Sequence, residues 1–267
     1  MTLGSVAAFV ALAWAAAAGS RAPTGKWNVD FADAQCIAQR DYGSPGRVLK
    51  LVLKVPAVGS VVQVAVVRSA IPTPAEQANA TITIDDGRPR KIGMLAYSMN
   101  GSREQVHLLN IPSADFEPVR HARILTVRSS VFEETFALSQ MQPLLKVMDD
   151  CVADLRRAFN FVEGDGDPPG LKSRAKSKAG LASLFSDRDY PAVAVVNAQG
   201  GRVEFVLLIG EDGRIADCTI VATSRVPSLD SQACALLKAR ARFDPARGLD
   251  GKPAKDFTRG AIVWRMP

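Results

Sequence analysis

The sequence predicts an α+β protein with an N-terminal antiparallel β-sandwich-like domain that ends in a helix, followed by a small β-β-α-β domain. Three observations support this prediction. Short alternating apolar segments separated by turn signals fill the first half of the chain. One stretch of helical periodicity follows them. The last third then contains two alternating segments, one helical segment and a returning alternating segment. The predicted boundaries are 27–160 for the β domain, 161–182 for a linker and 183–267 for the second domain.

The composition is that of a globular protein with two ordinary domains. The chain has 267 residues, of which 47% are hydrophobic and 22% are charged, and each half is long enough to bury a core. The formal net charge is +6, but the basic residues are scattered among acidic ones. Proteins that bind nucleic acid usually concentrate basic residues in one stripe, so we expect no nucleic-acid partner.

The first residues indicate export. An uninterrupted apolar run extends from Val6 to Ala18 and is followed by small residues, which is the layout of a secretory signal peptide. The run is short and rich in alanine for a membrane span, and the alternatives are an uncleaved anchor and a buried helix. We therefore predict a signal peptide over residues 1–21 and a mature chain that begins near residues 19–23.

Four cysteines fit an oxidising compartment, namely Cys36, Cys151, Cys218 and Cys234. None lies in a Cys-x-x-Cys pair, and neither histidine is at metal-ligand spacing from them, so we expect no metal site. Four cysteines allow three connectivities. One bridge inside each half favours Cys36–Cys151 and Cys218–Cys234, and the alternative is four buried thiols.

The strands of the first domain are expected where the sequence alternates or is rich in β-branched residues, over 27–31, 48–55, 61–67, 81–85, 91–97, 104–109, 122–127 and 131–138. Turn signals at 56–59 and 86–87 separate some of these segments. The pattern then changes to helical spacing. We predict a helix over 142–159 that packs on the sheet through Leu144, Leu145, Met148, Cys151, Val152, Leu155 and Phe159.

The first domain carries no recognisable catalytic motif. It has no Gly-x-Ser-x-Gly, His-Glu-x-x-His or phosphate-cradling glycine loop, and His107 and His121 are isolated. We therefore predict that the protein is not an enzyme and needs no cofactor. A ligand-binding or enzymatic β domain is the alternative, because this half is large and otherwise unexplained. The order of Trp27, Cys36, the strands and a late helix with Cys151 resembles the invasion-associated locus B family of exported β proteins, and this resemblance assigns no site residue.

The predicted linker over residues 161–182 loses all apolar periodicity and is rich in glycine, proline and charged residues. It contains a short basic cluster of Lys172, Arg174, Lys176 and Lys178. Such a cluster favours either a weak contact with an anionic surface or a simple solubilising role.

The second domain begins with a short helix expected over residues 181–188 and with Tyr190-Pro191. A strand over 201–209 should place Val203, Phe205, Leu207 and Ile209 on one face. In the turn at 210–213, Gly213 is expected to supply the positive φ that hairpin turns need. A return strand follows over 215–222. Ser228 is expected to cap a helix that places Cys234 over Cys218. The last strand should run over about residues 257–264.

The last third of the chain resembles the C-terminal domain of the TonB family, the periplasmic energy-transducer proteins of Gram-negative envelopes. The resemblance rests on the order and spacing of Tyr190-Pro191, Gly201-x-Val203, Asp212-Gly213-Arg214-Ile215, Ser228-x-Asp230, Arg242-Phe243-x-Pro245-Ala246 and Gly251-Lys252-Pro253. It also looks like the branch of the family that adds a cysteine pair at the positions of Cys218 and Cys234.

The resemblance implies a binding role. Domains of this family capture short periplasmic segments of outer-membrane transporters by strand addition at an open sheet edge. In this sequence the edge strand would be formed by Thr258, Arg259, Gly260, Ala261, Ile262, Val263 and Trp264. A second contact would be the lead-in, formed by Tyr190, Pro191, Val193 and Val195. The partners would be outer-membrane transporters or other envelope proteins, and a homodimer is included because isolated domains of this kind swap strands.

Three differences from the family favour a soluble periplasmic adaptor over a membrane-anchored energy transducer, which is the alternative. The N-terminal segment reads as a cleavable signal, the linker is short, and Val195 stands where the family has a glutamine. We therefore expect an exported interaction module without a connection to the inner-membrane motor.

Overall fold

The computed structural model describes residues 19–32, 34–44, 48–59, 61–71, 73–99, 102–162 and 166–266. Residues 1–18, which make up most of the predicted signal peptide, lie outside the described residues. The predicted α+β class is confirmed: a large antiparallel sheet forms the first part of the protein, and a small sheet with one main helix forms the last part.

The first domain is a single curled sheet in the strand order β1-β2-β3-β4-β7-β6-β5-β8-β9, with every neighbouring pair antiparallel. Its strands are β1 (Asn28–Ala32), β2 (Gln35–Tyr42), β3 (Leu49–Val55), β4 (Val61–Ser69), β5 (Glu76–Ile84), β6 (Arg90–Ser98), β7 (Glu104–Pro112), β8 (Ile124–Ser129) and β9 (Glu133–Ala137). The short helix α1 (Ser113–Phe116) and a 3-10 turn (Glu117–His121) connect β7 with β8. β2 was not predicted from the sequence, and the other strands lie near their expected positions.

The segment before β1 ties the two ends of this sheet together. The Arg21 backbone donates to the Thr135 carbonyl at 2.7 Å and accepts from the Ala137 N–H at 3.0 Å, both in β9. A few residues later, the Thr24 N–H donates to the Asp41 carbonyl in β2 at 2.9 Å. Residues 21–24 therefore bridge β9 to β2, and the sheet curls into a barrel-like layer around its apolar face.

Helix α2 (Met141–Ala158) closes the core of the first domain. Its buried side chains include the predicted Leu144, Leu145, Met148, Cys151 and Leu155. They join one apolar cluster with the inward residues of the sheet. The Cys36–Cys151 disulfide, whose Cα atoms are 6.1 Å apart, fastens this helix to β2.

The second domain is a three-stranded sheet in the order β13-β12-β17, which places β12 (Gly201–Ile209) between β13 (Ile215–Ala222) and β17 (Asp256–Trp264). Helix α4 (Pro227–Arg240) packs on one face, and the Cys218–Cys234 disulfide fastens it to β13. The smaller elements are the 3-10 turns Leu181–Leu184 and Asp187–Asp189, helix α3 (Ala192–Val196), and the strands β14 (Phe243–Asp244), β15 (Ala246–Gly248) and β16 (Pro253–Ala254). Gly213 has φ of +74°, as the predicted hairpin requires.

Two local predictions in this domain were wrong. Residues 181–188 form two separate 3-10 turns rather than one helix. Ser228 does not cap α4, because Val226 occupies the N-cap position and no side chain caps the helix. Pro227 is the first helical residue instead, and proline suits that position because its ring sets a helical φ and it has no N–H to satisfy.

The segment predicted as a linker is built into the second domain. It contains strands β10 (Leu171–Ser173) and β11 (Lys176–Ser177), which pair with β15 and β14 respectively. Both pairings join residues that are about seventy positions apart in sequence. Local hydrophobic periodicity therefore could not predict these strands. The two domains are therefore connected by a segment that crosses the second domain in contact with it.

The two domains also pack directly on each other. Val206, Leu208 and Phe257, on the sheet face opposite α4, belong to the apolar cluster of the first domain. At the β13 side, the Lys54 ammonium lies 2.8 Å from the carboxylate of Asp217, which is 2% exposed. The face of the small sheet that α4 leaves open is thus covered by the first domain.

Candidate functional site

The candidate site is the outer edge of β17. This strand pairs with β12 along its whole length, from Gly201 opposite Trp264 to Ile209 opposite Asp256. Within the described residues, β17 has no second strand neighbour. A sheet edge of this kind presents backbone N–H and C=O groups that an added strand can pair with.

One hydrogen bond identifies which residues of β17 turn their backbone outward. The Phe257 carbonyl accepts from the Arg174 guanidinium at 2.7 Å, so it points away from β12. In an antiparallel strand the N–H and C=O of one residue point to the same side, and the side alternates along the strand. Arg259, Ala261 and Val263 therefore also direct their backbone groups to the outer edge.

The outward backbone N–H and C=O groups of β17 differ in whether they already have a hydrogen-bond partner. At its start, Arg174 occupies the Phe257 carbonyl, and the Phe257 N–H donates to the Asp256 carboxylate at 2.7 Å. Farther along, no backbone hydrogen bond outside the β12 pairing involves Ala261 or Val263 within the described part of the chain. The available part of the edge is therefore its C-terminal half.

The side chains of β17 anchor the strand from both faces. Ile262 and Trp264 are buried on the α4 side, while Phe257 is buried against the first domain. Gly260 faces the Phe205 ring, and a Cβ at this position would lie only 2.7 Å from Phe205 Cζ. The strand is held in place by packing, and its backbone edge is left for other contacts.

The lead-in residues lie beside the C-terminal end of this edge. The Tyr190 ring stands edge-on to the Trp264 ring, with centroids 5.3 Å apart. The Tyr190 hydroxyl donates to the Gln199 carbonyl at 2.6 Å. Pro191 then precedes the short helix α3, in which Val193 is half-buried and Val195 is 40% exposed. The lead-in is thus a turn and a helix that adjoin the edge, not a second open strand.

Ionic contacts fix the start of the lead-in. The Arg240 guanidinium donates to both carboxylate oxygens of Asp189, at 2.6 and 2.7 Å. This pairing, together with the Ser186 hydroxyl, holds the pKa of the Asp189 carboxyl well below its usual range. The same arginine donates to the Leu184 carbonyl at 2.7 Å. A bidentate salt bridge between Arg240 and Asp189 therefore joins helix α4 to the start of the lead-in.

Asp230, in the first turn of α4, supports the loop after β13. It is 1% exposed and accepts from the Ser224 N–H at 2.9 Å and from the Ser224 hydroxyl at 2.7 Å. Burial raises the pKa of its carboxyl, and hydrogen bonds from Thr223 and Ser224 oppose that shift. Sequence reasoning identified Asp230 in the family pattern, and the structure gives it a positioning role for the β13–α4 connection.

Arg174 contacts the start of β17, and the sequence did not predict this role. The sequence showed it only as one member of the basic cluster. Its guanidinium bonds the Asp256 carboxylate at 3.0 and 3.1 Å in addition to the Phe257 carbonyl. Within the same cluster, Lys178 lies 3.4 Å from the Asp244 carboxylate. Two of the four basic side chains thus serve contacts inside the protein.

The four predicted cysteines form the two favoured disulfides, which confirms this part of the sequence analysis. Among the described residues, no group of three or more His, Cys, Asp and Glu side chains is arranged to hold a metal ion. Within the same residues, no helix combines the length and apolar character needed to cross a membrane.

Comparison with known proteins supports the assignment of the second domain. No curated protein matches the chain. One family model matches a segment that contains β12, β13, α4 and the first residues of β17, and this segment ends before Ala261 and Val263. Residues 186–259 match the family described as Gram-negative bacterial TonB protein C-terminal, so the second domain of this chain is a TonB C-terminal domain.

Proposed function

We propose that this protein is an exported, periplasmic protein-interaction module whose TonB-like domain binds extended segments of envelope or outer-membrane transport proteins by strand addition. The observation that carries the proposal is the edge position of β17, with Ala261 and Val263 turned outward. Main-chain hydrogen bonds to such an edge supply affinity, and alternate side chains of the added strand supply specificity. The proposal assigns no catalytic role to the chain.

The geometry limits where a partner strand would lie. Arg174 already occupies the outward carbonyl of Phe257. An added strand would therefore pair with residues 259–263 and end near the Tyr190–Trp264 contact. Val263 is 51% exposed, and its side chain projects from the sheet face, where it would lie next to a side chain of the added strand. The lead-in is close enough to contact the end of the same segment.

Two features support export to an oxidising compartment. All four cysteines are paired, and structural disulfides persist in the periplasm but are rare in the cytosol. The apolar run at the start of the sequence has the layout of a signal peptide. Fractionation tests this part of the proposal: release by osmotic shock supports a soluble protein, whereas retention after carbonate extraction supports the membrane-anchored transducer.

The edge itself is tested with a substitution that removes one backbone donor. Ala261→Pro deletes the outward N–H of Ala261 and leaves the pairing with β12 intact, since proline is tolerated where a strand N–H faces solvent. Ala261→Ser keeps that N–H and serves as the matched control. Peptides that copy the periplasmic segments of outer-membrane transporters are titrated into the labelled full chain while its amide resonances are followed by NMR.

We expect shifts centred on residues 259–264 and at least a ten-fold weaker affinity for Ala261→Pro than for Ala261→Ser. Equal affinity of the two variants, or shifts confined to other elements, would contradict strand addition at β17. Sedimentation of the free protein tests the homodimer separately, because a second copy would use the same edge and should be dispersed by Ala261→Pro.

A further inference from the structure

A second surface of the TonB-like domain, apart from the β17 edge, is basic. It is formed by the antiparallel pairs β10–β15 and β11–β14, together with β16. Six basic residues in these strands and their flanks are exposed, namely Lys172, Lys176, Lys178, Arg242, Arg247 and Lys252. We call these six residues the basic ribbon.

Strand pairing brings the two halves of the basic ribbon together. Lys176 lies opposite Asp244 in one pair, and the residue after Lys172 lies opposite Arg247 in the other. Phe243 is buried whereas Asp244 is exposed. Because directly opposite residues share a face of an antiparallel pair, Lys176 also points outward. Three lysines of the predicted linker therefore share one surface with three basic residues that follow α4.

The acidic residues of this surface offset only part of its positive charge. Asp244 lies 3.4 Å from Lys178, and Asp250 lies 3.8 Å from Lys252. The neighbouring β12–β13 turn adds two carboxylates and one guanidinium. With that turn included, seven basic side chains face four acidic ones. The surface therefore keeps a clear excess of positive charge.

Three cations of the basic ribbon are left for contact with a partner. Within the described part of the chain, Lys172, Lys176 and Arg247 take part in no ion pair. Strand pairing already fixes the backbone at these positions, so binding does not have to order it. A fixed array of like charges attracts an anionic surface, and salt screens that attraction.

An exposed apolar side chain lies beside these cations. Leu249 is 72% exposed in the turn between β15 and β16, and Arg247 and Lys252 flank it in sequence. Cations next to an exposed apolar side chain suit the boundary of a bilayer, where the cations meet headgroup phosphates and the apolar side chain reaches the acyl chains. A soluble polyanion would pair with the cations but would offer Leu249 no apolar environment.

We propose that the basic ribbon binds the surface of a bilayer that contains anionic phospholipid, with Leu249 entering the boundary between headgroups and acyl chains. The ribbon adjoins the start of β17, where Arg174 binds Asp256. The available half of the edge lies at the other end of that strand, so the bound protein keeps it free for a partner segment. This contact does not depend on strand addition at β17.

The test measures co-sedimentation of the purified full chain with vesicles of phosphatidylglycerol and phosphatidylcholine in equal parts. Vesicles of phosphatidylcholine alone are the reference, and they also report binding through the apolar run at residues 6–18. One variant combines Lys172→Gln, Lys176→Gln and Arg247→Gln. Its matched control changes the net charge equally at three exposed positions of the first domain and combines Arg88→Gln, Lys91→Gln and Arg103→Gln.

We expect the wild type and the control triple variant to bind the anionic vesicles and not the neutral ones. The ribbon triple variant should bind at least about ten-fold more weakly than the control, because each cation near an anionic surface adds to the affinity. Raising the salt from about 0.1 M to about 0.5 M should remove most of the binding. Equal losses in the two triple variants, or equal binding to both kinds of vesicle, would overturn the proposal.

Leu249→Ser separates a bilayer from a soluble polyanion. This variant should bind the anionic vesicles about five-fold more weakly, because less apolar surface leaves water, while its retention on a heparin column stays that of the wild type. Vesicle binding equal to that of the wild type would overturn the bilayer as the partner. Failure of the peptide titration at β17 would leave this proposal standing, and failure here would leave the β17 edge standing.

Discussion

Arg174, which lies between β10 and β11, forms an ion pair with Asp256, the first residue of the edge strand β17. The Arg174 Nε lies 3.0 Å from Oδ2 of Asp256, whose residue is 0% exposed, while the Arg174 side chain is 34% exposed. The Ala175 N–H donates to the same carboxylate at 2.7 Å. A buried carboxylate needs partners of this kind, because an unpaired buried charge is strongly unfavourable.

Arg174→Ala should therefore lower the free energy of unfolding by about 2–3 kcal/mol, somewhat less than for a fully buried pair because the arginine is partly exposed. Chemical denaturation of the full chain measures the change. Arg202→Ala is the matched control, since Arg202 pairs with Glu204 on the surface, and such pairs contribute about 0–1 kcal/mol. Similar losses in the two variants would contradict a special role for the Arg174–Asp256 pair.

Gly213 and Gly251 both have positive φ, but they differ in how much room a side chain would have. Gly213 and Gly251 have φ of +74° and +79°, but a Cβ at Gly213 would lie 2.1 Å from the Phe243 carbonyl oxygen, whereas a Cβ at Gly251 would meet nothing within 4 Å. Gly251→Ala should cost about 1 kcal/mol for the backbone conformation alone. Gly213→Ala should cost at least about 2 kcal/mol more, because the turn must also move away from Phe243. Thermal unfolding of both variants measures the difference, and equal losses would show that the turn relaxes freely.

The elements with a local period were predictable from sequence. The alternation of Val203, Phe205, Leu207 and Ile209 correctly placed these four side chains in one apolar cluster. The helical spacing that begins at Leu144 predicted α2 to within one residue at each end. The turn chemistry of Gly213 and the cysteine pairing were also correct, because each depends on residue type and on proximity within one half of the chain.

The elements that depend on distant partners were not predictable. Strands β10 and β11 are only three and two residues long and pair with β15 and β14, so their own sequence carries no period. The Arg174–Asp256 pair joins positions separated by 82 residues. Tyr97 of β6, Val193 of α3 and Gln232 of α4 likewise line one surface cavity only because domain packing brings these three elements together.

The two disulfides should differ in their response to reductant. Cys36 and Cys151 are 0% and 5% exposed in the core of the first domain. Cys218 and Cys234 instead line a small cavity of about 190 Å³ beside Lys54 and Lys238, and Cys234 is half-buried. Exchange requires that a thiolate reach the sulfur, so the second bridge is more accessible.

We expect dithiothreitol under native conditions to reduce Cys218–Cys234 at least ten times faster than Cys36–Cys151. Differential alkylation followed by peptide mass spectrometry measures the two rates. In the unfolded protein the difference should largely disappear, since folding is its cause. Faster reduction of Cys36–Cys151 in the native protein would contradict the burial of that bridge.

His107 should make the first domain sensitive to acid. It is 0% exposed, neither ring nitrogen has a hydrogen-bond partner among the described residues, and its ring lies 4.5 Å from the Phe132 ring. Burial, with a smaller contribution from the Arg68 charge, lowers the pKa of His107 to about 4. The native state therefore keeps this imidazole neutral at a pH where the unfolded chain, with a pKa of about 6.5, takes up a proton.

Because the pKa of His107 is lower in the native state than in the unfolded chain, acid should lower the free energy of unfolding. As pH falls from about 6.5 toward about 4, the unfolded state binds a proton that the native state does not, so stability should decrease by up to about 3 kcal/mol. His107→Leu removes this contribution and should flatten the curve of unfolding free energy in that interval. His121→Leu, at an exposed position, is the control and should retain the dependence. Parallel curves for the wild type and His107→Leu would show that other groups cause the loss of stability in acid.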